Sequence, residues 1–263
     1  MPHKLLTTHL NPQHIRHFKT MEDESILTQI SRAKWFFFDL DDTLHSFRRA
    51  SSLATTSTLS LILIHHTHLN LSDLQTSYTR ILASRTKSAF ADGKTSHEYR
   101  AERFRMLLAE HGVQDDAQLM EALLECYEKT LMQNLEAKEG AMALLHAIKA
   151  RGKKIAVVTE GPQDAQERTV EALGLGRFVD YLATTNALGV AKVDGMFGRV
   201  LEKVGVRGED VVVVGDSWDR DIVPARKIGL TCVWFNSQSE KENNVREEGV
   251  IHIRSLKDLE DII

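Results

Sequence analysis

Hydrophobic and polar positions follow two different rhythms along this chain. A continuous apolar run, Trp35-Phe36-Phe37-Phe38, predicts a strand over residues 34–40 that is covered on both faces, preceded by a short helix over 22–32. From residue 45 to about 135 the rhythm becomes helical. This stretch contains no proline, is rich in Leu, Ala, Ser, Thr, Glu and Arg, and repeats apolar residues three and four apart, as in Phe104, Leu107, Leu108 and Leu119, Leu123, Leu124, Tyr127. Beyond it, short apolar runs alternate with amphipathic stretches. Strands are predicted over 154–158, 181–184, 211–214, 231–235 and 250–253, with helices over 140–150, 163–173 and 195–204 between them. A run such as Val211-Val212-Val213-Val214 belongs to a sheet buried on both faces, hence to a parallel sheet wound with crossover helices.

In such a sheet ligands collect outside the carboxyl ends of the strands, so the residues just after each run carry the candidate chemistry. The first run ends in Asp39-Leu40-Asp41-Asp42-Thr43-Leu44. Two carboxylates two residues apart repel one another, and a bound cation relieves that repulsion. The run at 154–158 ends in Thr159-Glu160-Gly161-Pro162, which places a hydroxyl and free backbone N–H groups where an anion can be held. A later turn, Ala191-Lys192-Val193-Asp194-Gly195, brings an ammonium suited to a phosphoryl group. The most apolar strand ends in Gly215-Asp216-Ser217-Trp218-Asp219-Arg220-Asp221; its acids are oxygen ligands for a hard cation, and its glycine is expected to serve a tight turn.

These four phrases, in this order, resemble the four motifs of the haloacid dehalogenase superfamily, most of whose members are phosphatases. The resemblance covers residues 34–44 and 137–260, and the helical stretch between them resembles the family's cap, in the layout of the phosphoglycolate phosphatase and nucleotidase-like members. It implies Asp39 as nucleophile and Asp41 as general acid and base. It also implies Thr159, Glu160 and Lys192 at the phosphate, Mg²⁺ held by Asp39, the Asp41 backbone carbonyl and Asp216, and Asp221 orienting that shell or Lys192. Two positions depart from the family pattern: Val193 follows the lysine where proline is common, and Glu160 stands where Asn or Gly is frequent. An acid at position 41 argues for phosphate esters over carbon–halogen bonds, because a halide leaves without a proton. Transfer of the same aspartyl-phosphate to another acceptor, and an idle fold kept as a binding module, are the alternatives.

The expected architecture is α/β. A Rossmann-like parallel-sheet core spans 32–44 and 136–263, an all-helical cap over 45–135 is inserted after the first strand, and residues 1–31 form an N-terminal arm. The totals narrow the partners. With 263 residues, 42% hydrophobic content and a formal net charge of −4, the chain buries a core but carries no field that recruits nucleic acid or an anionic membrane. The expected partner is a small phosphorylated metabolite. Cys126 and Cys232 lack metal-ligand spacing, which fits buried thiols in a reducing, cytoplasmic setting; the basic, acid-free first 21 residues only faintly suggest an organelle-targeting peptide. Oligomeric state is not legible. Gly93-Lys94-Thr95-Ser96 lacks the leading glycine of a nucleotide loop, Gly174-Leu175-Gly176 follows a helix rather than a strand, and His65, His66 and His68 read as a solvated helix end.

Overall fold

The computed structural model describes residues 21–85, 90–237 and 249–263. Six strands, β1 (Trp35–Phe38), β2 (Lys154–Thr159), β3 (Tyr181–Thr184), β4 (Val211–Gly215), β5 (Thr231–Phe235) and β6 (Val250–Ile253), form one sheet in the order β3-β2-β1-β4-β5-β6. Every pairing is parallel, with Phe38 opposite Val157 on one side and Val214 on the other. The winding direction reverses at β1, so the crevice between its carboxyl end and that of β4 is the ligand position for such a sheet. Strand β1 is shorter than predicted. At its start Lys34 donates to the Asp210 carbonyl, and at its end only the Asp39 N–H, on Val214, prolongs the ladder before Leu40 accepts from Leu44 in a turn.

Helix α1 is Met21–Arg32. Its Ile26 and Ile30, one turn apart, are buried in the layer that covers Phe36 and Phe38. The expected arm over 1–31 differs from the structure at its end: Ile26 and Ile30 of α1 belong to the core, because this apolar stripe has a sheet face to cover. Residues 1–20 lie outside the described residues. Four helices follow β1: α2 (Phe47–His65), α3 (Leu71–Arg85), α4 (Ser96–Glu110) and α5 (Ala117–Gln133). They bury an apolar core of their own, built from residues such as Leu59, Ile62, Leu74, Phe104, Leu107 and Leu123. Helix α4 starts at a reciprocal capping box between Thr95 and Glu98, and α5 starts at Asp116, whose carboxylate accepts from the N–H groups of Gln118 and Leu119.

The remaining helices complete three layers: α6 (Ala141–Ala150), α7 (Gln163–Ala172), α8 (Thr185–Leu188), α9 (Met196–Val204), α10 (Val223–Lys227) and α11 (Leu256–Glu260). With period-two alternation, Phe36 and Phe38 pack with α1, α6 and α11, while Phe37 packs on the other face with Met196, Val200 and Ala225. Cys232 is buried in that second layer, whereas Cys126 is only half-buried, so one of the two thiols departs from expectation. No helix among the described residues is long and apolar enough to cross a membrane.

Candidate active site

The carboxyl ends of β1, β2 and β4 converge. Beyond β1 the chain reverses within six residues: Asp42 adopts a left-handed conformation at φ 66°, its N–H donates to the His45 carbonyl, and Leu44 donates to the Leu40 carbonyl. That reversal brings the buried His45 ring back onto Asp41, with Nε2 2.9 Å from Oδ1, while Gln166 of α7 donates to the other carboxylate oxygen at 3.3 Å. Thr43 is fully buried, and its hydroxyl accepts from the Asp216 N–H at 3.0 Å, tying the β1 loop to the β4 loop.

Asp39 and Lys192 meet in the interior. The Lys192 ammonium donates to Asp39 Oδ1 at 2.5 Å and to Asp221 Oδ1 at 2.6 Å. Burial disfavours its charge, but Asp221 and Asp39 outweigh burial and its pKa is raised, so it is a fixed cation. Burial pushes the Asp39 carboxyl well above the usual carboxylate range; Lys192 opposes the shift, and Asp221 and Asp41 add to it. The second carboxylate oxygen of Asp39 is buried without a partner, as is the hydroxyl of Thr159 at the end of β2. Buried oxygens without partners are rare in folded proteins, and both of these residues line the same cavity.

Asp221 sits in a single π-helical turn, Trp218–Ile222, of a kind frequent at functional sites. Its other oxygen accepts from the Ser217 N–H at 3.0 Å, so the whole carboxylate is engaged. Asp39, Asp216 and Asp221 bring ligand oxygens to within 4.8 Å of one another, a donor set of hard oxygens suited to Mg²⁺. Burial, reinforced by Asp221, raises the Asp216 carboxyl, and Arg48 at 3.3 Å from its Oδ2 opposes that shift. The Asp216 carbonyl is fixed by Trp234 Nε1 at 2.9 Å. The need for glycine at 215 differs from the expected turn. A Cβ there would stand 2.3 Å from the Asp221 carboxyl carbon, so the requirement is close approach.

All seven residues singled out in the sequence, Asp39, Asp41, Thr159, Glu160, Lys192, Asp216 and Asp221, line one cavity of about 560 Å³ roofed by α2–α5. Glu160 is placed differently from a phosphate ligand's side chain. One of its oxygens accepts from the Lys192 N–H at 2.9 Å and the other is paired with Arg220, which leaves only its backbone for an anion. The sequence gives no sign of the contacts of His45 and Gln166, and Thr43, although it stands in the first phrase, carried no expected contact. Each contact is made by the chain reversal or by α7, and none of the three residues stands at a strand end.

Comparison with known proteins gives the family. The family model described as haloacid dehalogenase-like hydrolase matches residues 33–229. The glyceraldehyde 3-phosphate phosphatase of Methanocaldococcus jannaschii is 23% identical over 231 residues, covering 88% of this chain and 96% of that protein. The pyrimidine 5′-nucleotidase YjjG of Escherichia coli is 27% identical over 238 residues, covering 87% of this chain and 97% of that protein. Among solved structures, the magnesium-bound HAD-hydrolase YfnB of Bacillus subtilis superposes with a TM-score of 0.66 at 24% identity, covering 87% of this chain and 97% of that one. With the family model matching three quarters of the chain, from the start of β1 through the helical insert to the end of α10, the chain belongs to the haloacid dehalogenase-like hydrolases.

Proposed function

We propose that this hydrolase cleaves phosphate monoesters of small molecules through an aspartyl-phosphate on Asp39. The observation that carries the reading is the pair of partnerless buried oxygens, Asp39 Oδ2 and Thr159 Oγ1, in the cavity lined by the Lys192 ammonium. An ammonium has three N–H donors, and Lys192 uses two of them on carboxylates, leaving one for a phosphate oxygen. The Thr159 hydroxyl donates to a second oxygen. Asp39 attacks phosphorus, the ester P–O bond breaks, and Asp41 gives its proton to the departing alkoxide. Water then attacks phosphorus and returns a proton to Asp41, releasing phosphate and free Asp39. His45 and Gln166 hold the Asp41 carboxyl in position for both transfers.

Asp39, Asp216 and the Asp41 backbone carbonyl are the groups that would hold Mg²⁺, because both oxygens of Asp221 are committed to Lys192 and Ser217. When bound, the ion offsets the repulsion between an anionic nucleophile and an anionic phosphate. In this reading residues 45–135 act as the cap and exclude bulk water, and the partner is a phosphorylated metabolite rather than a polymer. The test is inorganic phosphate release from sugar phosphates, nucleoside monophosphates and phosphorylated hydroxy acids, with Mg²⁺ and with chelator. Release that depends on Mg²⁺ and falls by at least about 10³-fold in Asp39→Asn is expected. An Asp39→Asn protein of normal activity would sink the reading, and release that requires an added alcohol acceptor would replace it with phosphotransfer.

A further inference from the structure

Five cations line the cavity over Asp39: Arg48, Arg100, Arg103, Lys192 and Arg220. Four of them face carboxylates. Arg48 pairs with Asp42 and Asp216, Arg100 with Glu128, Lys192 with Asp39 and Asp221, and Arg220 with Glu160. Arg103, on α4 in the roof, has no carboxylate within ion-pair distance among the described residues, although it is only 8% exposed and its Nε is buried without a hydrogen-bond partner. Its neighbours are the Phe90 ring, 5.7 Å from the guanidinium carbon, and the Tyr78 hydroxyl. Tyr78 supplies no counter-charge: burial pushes its hydroxyl up to about 12, with Arg103 only partly opposing, so the phenol stays neutral. The hydroxyls of the other two roof tyrosines are engaged elsewhere, Tyr99 on Asp92 and Tyr127 with Ser51.

A guanidinium is always charged, and holding one inside a protein without a counter-ion is unfavourable. Such a group persists where a ligand completes it. The reacting phosphate is already provided for at the floor by Lys192 and Thr159, so Arg103 faces a different part of the substrate. We propose that Arg103 binds a second anionic group, a carboxylate or a phosphate, at the leaving-group end of the substrate. The substrate class is thus a phosphate monoester whose alcohol carries its own negative charge. Phe90 helps to fix the receptor. It is held at φ 62° with its carbonyl accepting from Asn186 of α8, and its ring packs edge-on against Tyr99 at 4.9 Å, beside the guanidinium.

The inference rests on the phosphatase reading, and the experiment separates the two. Phosphate release is measured for ω-phosphorylated hydroxy acids of graded chain length, for the matching primary amides, and for α,ω-diol bisphosphates, with the native protein, Arg103→Gln and Arg103→Lys. The native protein is expected to favour the charged member of a pair by about 10²-fold in kcat/KM at its preferred length. Arg103→Gln should reduce that ratio to within about tenfold, and Arg103→Lys should recover part of it. The acid and bisphosphate arms tell the two anion types apart. Equal turnover of acids and amides at every length, an unchanged ratio in Arg103→Gln, or a preference for nucleoside monophosphates with neutral bases over all charged esters would each overturn the inference. Absence of phosphate release from every ester would overturn the phosphatase reading instead. In that event, calorimetric titration of Asp39→Asn with the same acids and amides decides for Arg103: charge-dependent binding that is lost in Asp39→Asn/Arg103→Gln supports it, and no charge dependence overturns it. If Arg103→Gln fails to fold by circular dichroism, the native ratios and Arg103→Lys still give the answer.

Discussion

Lys192 is the residue on which charge at the site turns. It is 2% exposed and lies against two buried carboxylates, so its removal leaves Asp39 and Asp221 facing one another without a cation. Lys192→Met is expected to lower phosphate release by about 10²–10³-fold or more, as for loss of one preorganised donor. It should also destabilise the protein by about 3–5 kcal/mol, the usual consequence of breaking a buried pair from one side. A urea unfolding curve beside the activity assay checks both, and a variant of native stability would show that the two acids do not depend on this ammonium. Side chains directly after apolar runs were legible in the sequence, because a carboxylate at the end of a buried strand has nowhere to go but the edge. Residues that act by reaching back were not. His45 meets Asp41 only because Asp42 turns left-handed, and the glycine at 215 is required by an Asp221 side chain that arrives from a later turn. Neither contact leaves a trace in composition or periodicity.

At the scale of elements, the sheet and its flanking helices were read within a residue or two wherever a run was long and apolar, as in β4 and β5. The short α8 and the π-helical turn were not read, since four or five residues carry too little periodicity. What joins elements is often one acid. Asp180, just before β3, accepts from Lys149 of α6 at 2.5 Å, Lys154 at 2.9 Å and the Ile155 N–H of β2 at 2.9 Å. Burial opposes its charge, but these three donors together hold its carboxyl below the ordinary value. A carboxyl depressed in the folded state contributes stability that is complete above its unfolded pKa, near 4, and is lost as pH falls through the lower folded value. Asp180→Asn should therefore destabilise by about 1–2 kcal/mol at pH 7. Thermal melts from pH 7 downward should show the gap between the two proteins closing below about pH 4. A gap that widens on acidification would rule this account out.

Taken as a whole, the molecule places the two tasks of the proposed reading on different layers. Asp39, Asp41, Thr159 and Asp216, the groups to which the proposed reading gives the chemistry, follow strands of the sheet; most of the roof lining comes from helices α2–α5, which are tied to the sheet side through side chains. One such tie runs through Asp164 of α7, which accepts from both the N–H and the hydroxyl of Ser96 at the start of α4, at 2.9 and 2.6 Å, and pairs with Arg168. This division explains why motifs pointed to a reaction type and not to Arg103: a roof arginine looks like any other arginine on a helix until three dimensions show that no carboxylate among the described residues pairs with it.

The two ends of the helical insert are fastened to each other. Lys138 donates to the Leu44 carbonyl at 2.9 Å, Ser46 to the Glu136 carbonyl at 2.9 Å, and His45 bridges Ala137. From the sheet's side the insert is a closed loop, and the entropic cost of closing a loop grows only logarithmically with its length. Ends held together in this way predict that the sheet folds with other sequences grafted between these two points, or with none. Replacing residues 46–136 with a short Gly-Ser linker should leave a protein whose circular dichroism retains the α/β signature. It should release phosphate with little regard for the size or charge of the alcohol. Failure of that protein to fold would mean that the helices support the sheet as well as covering it.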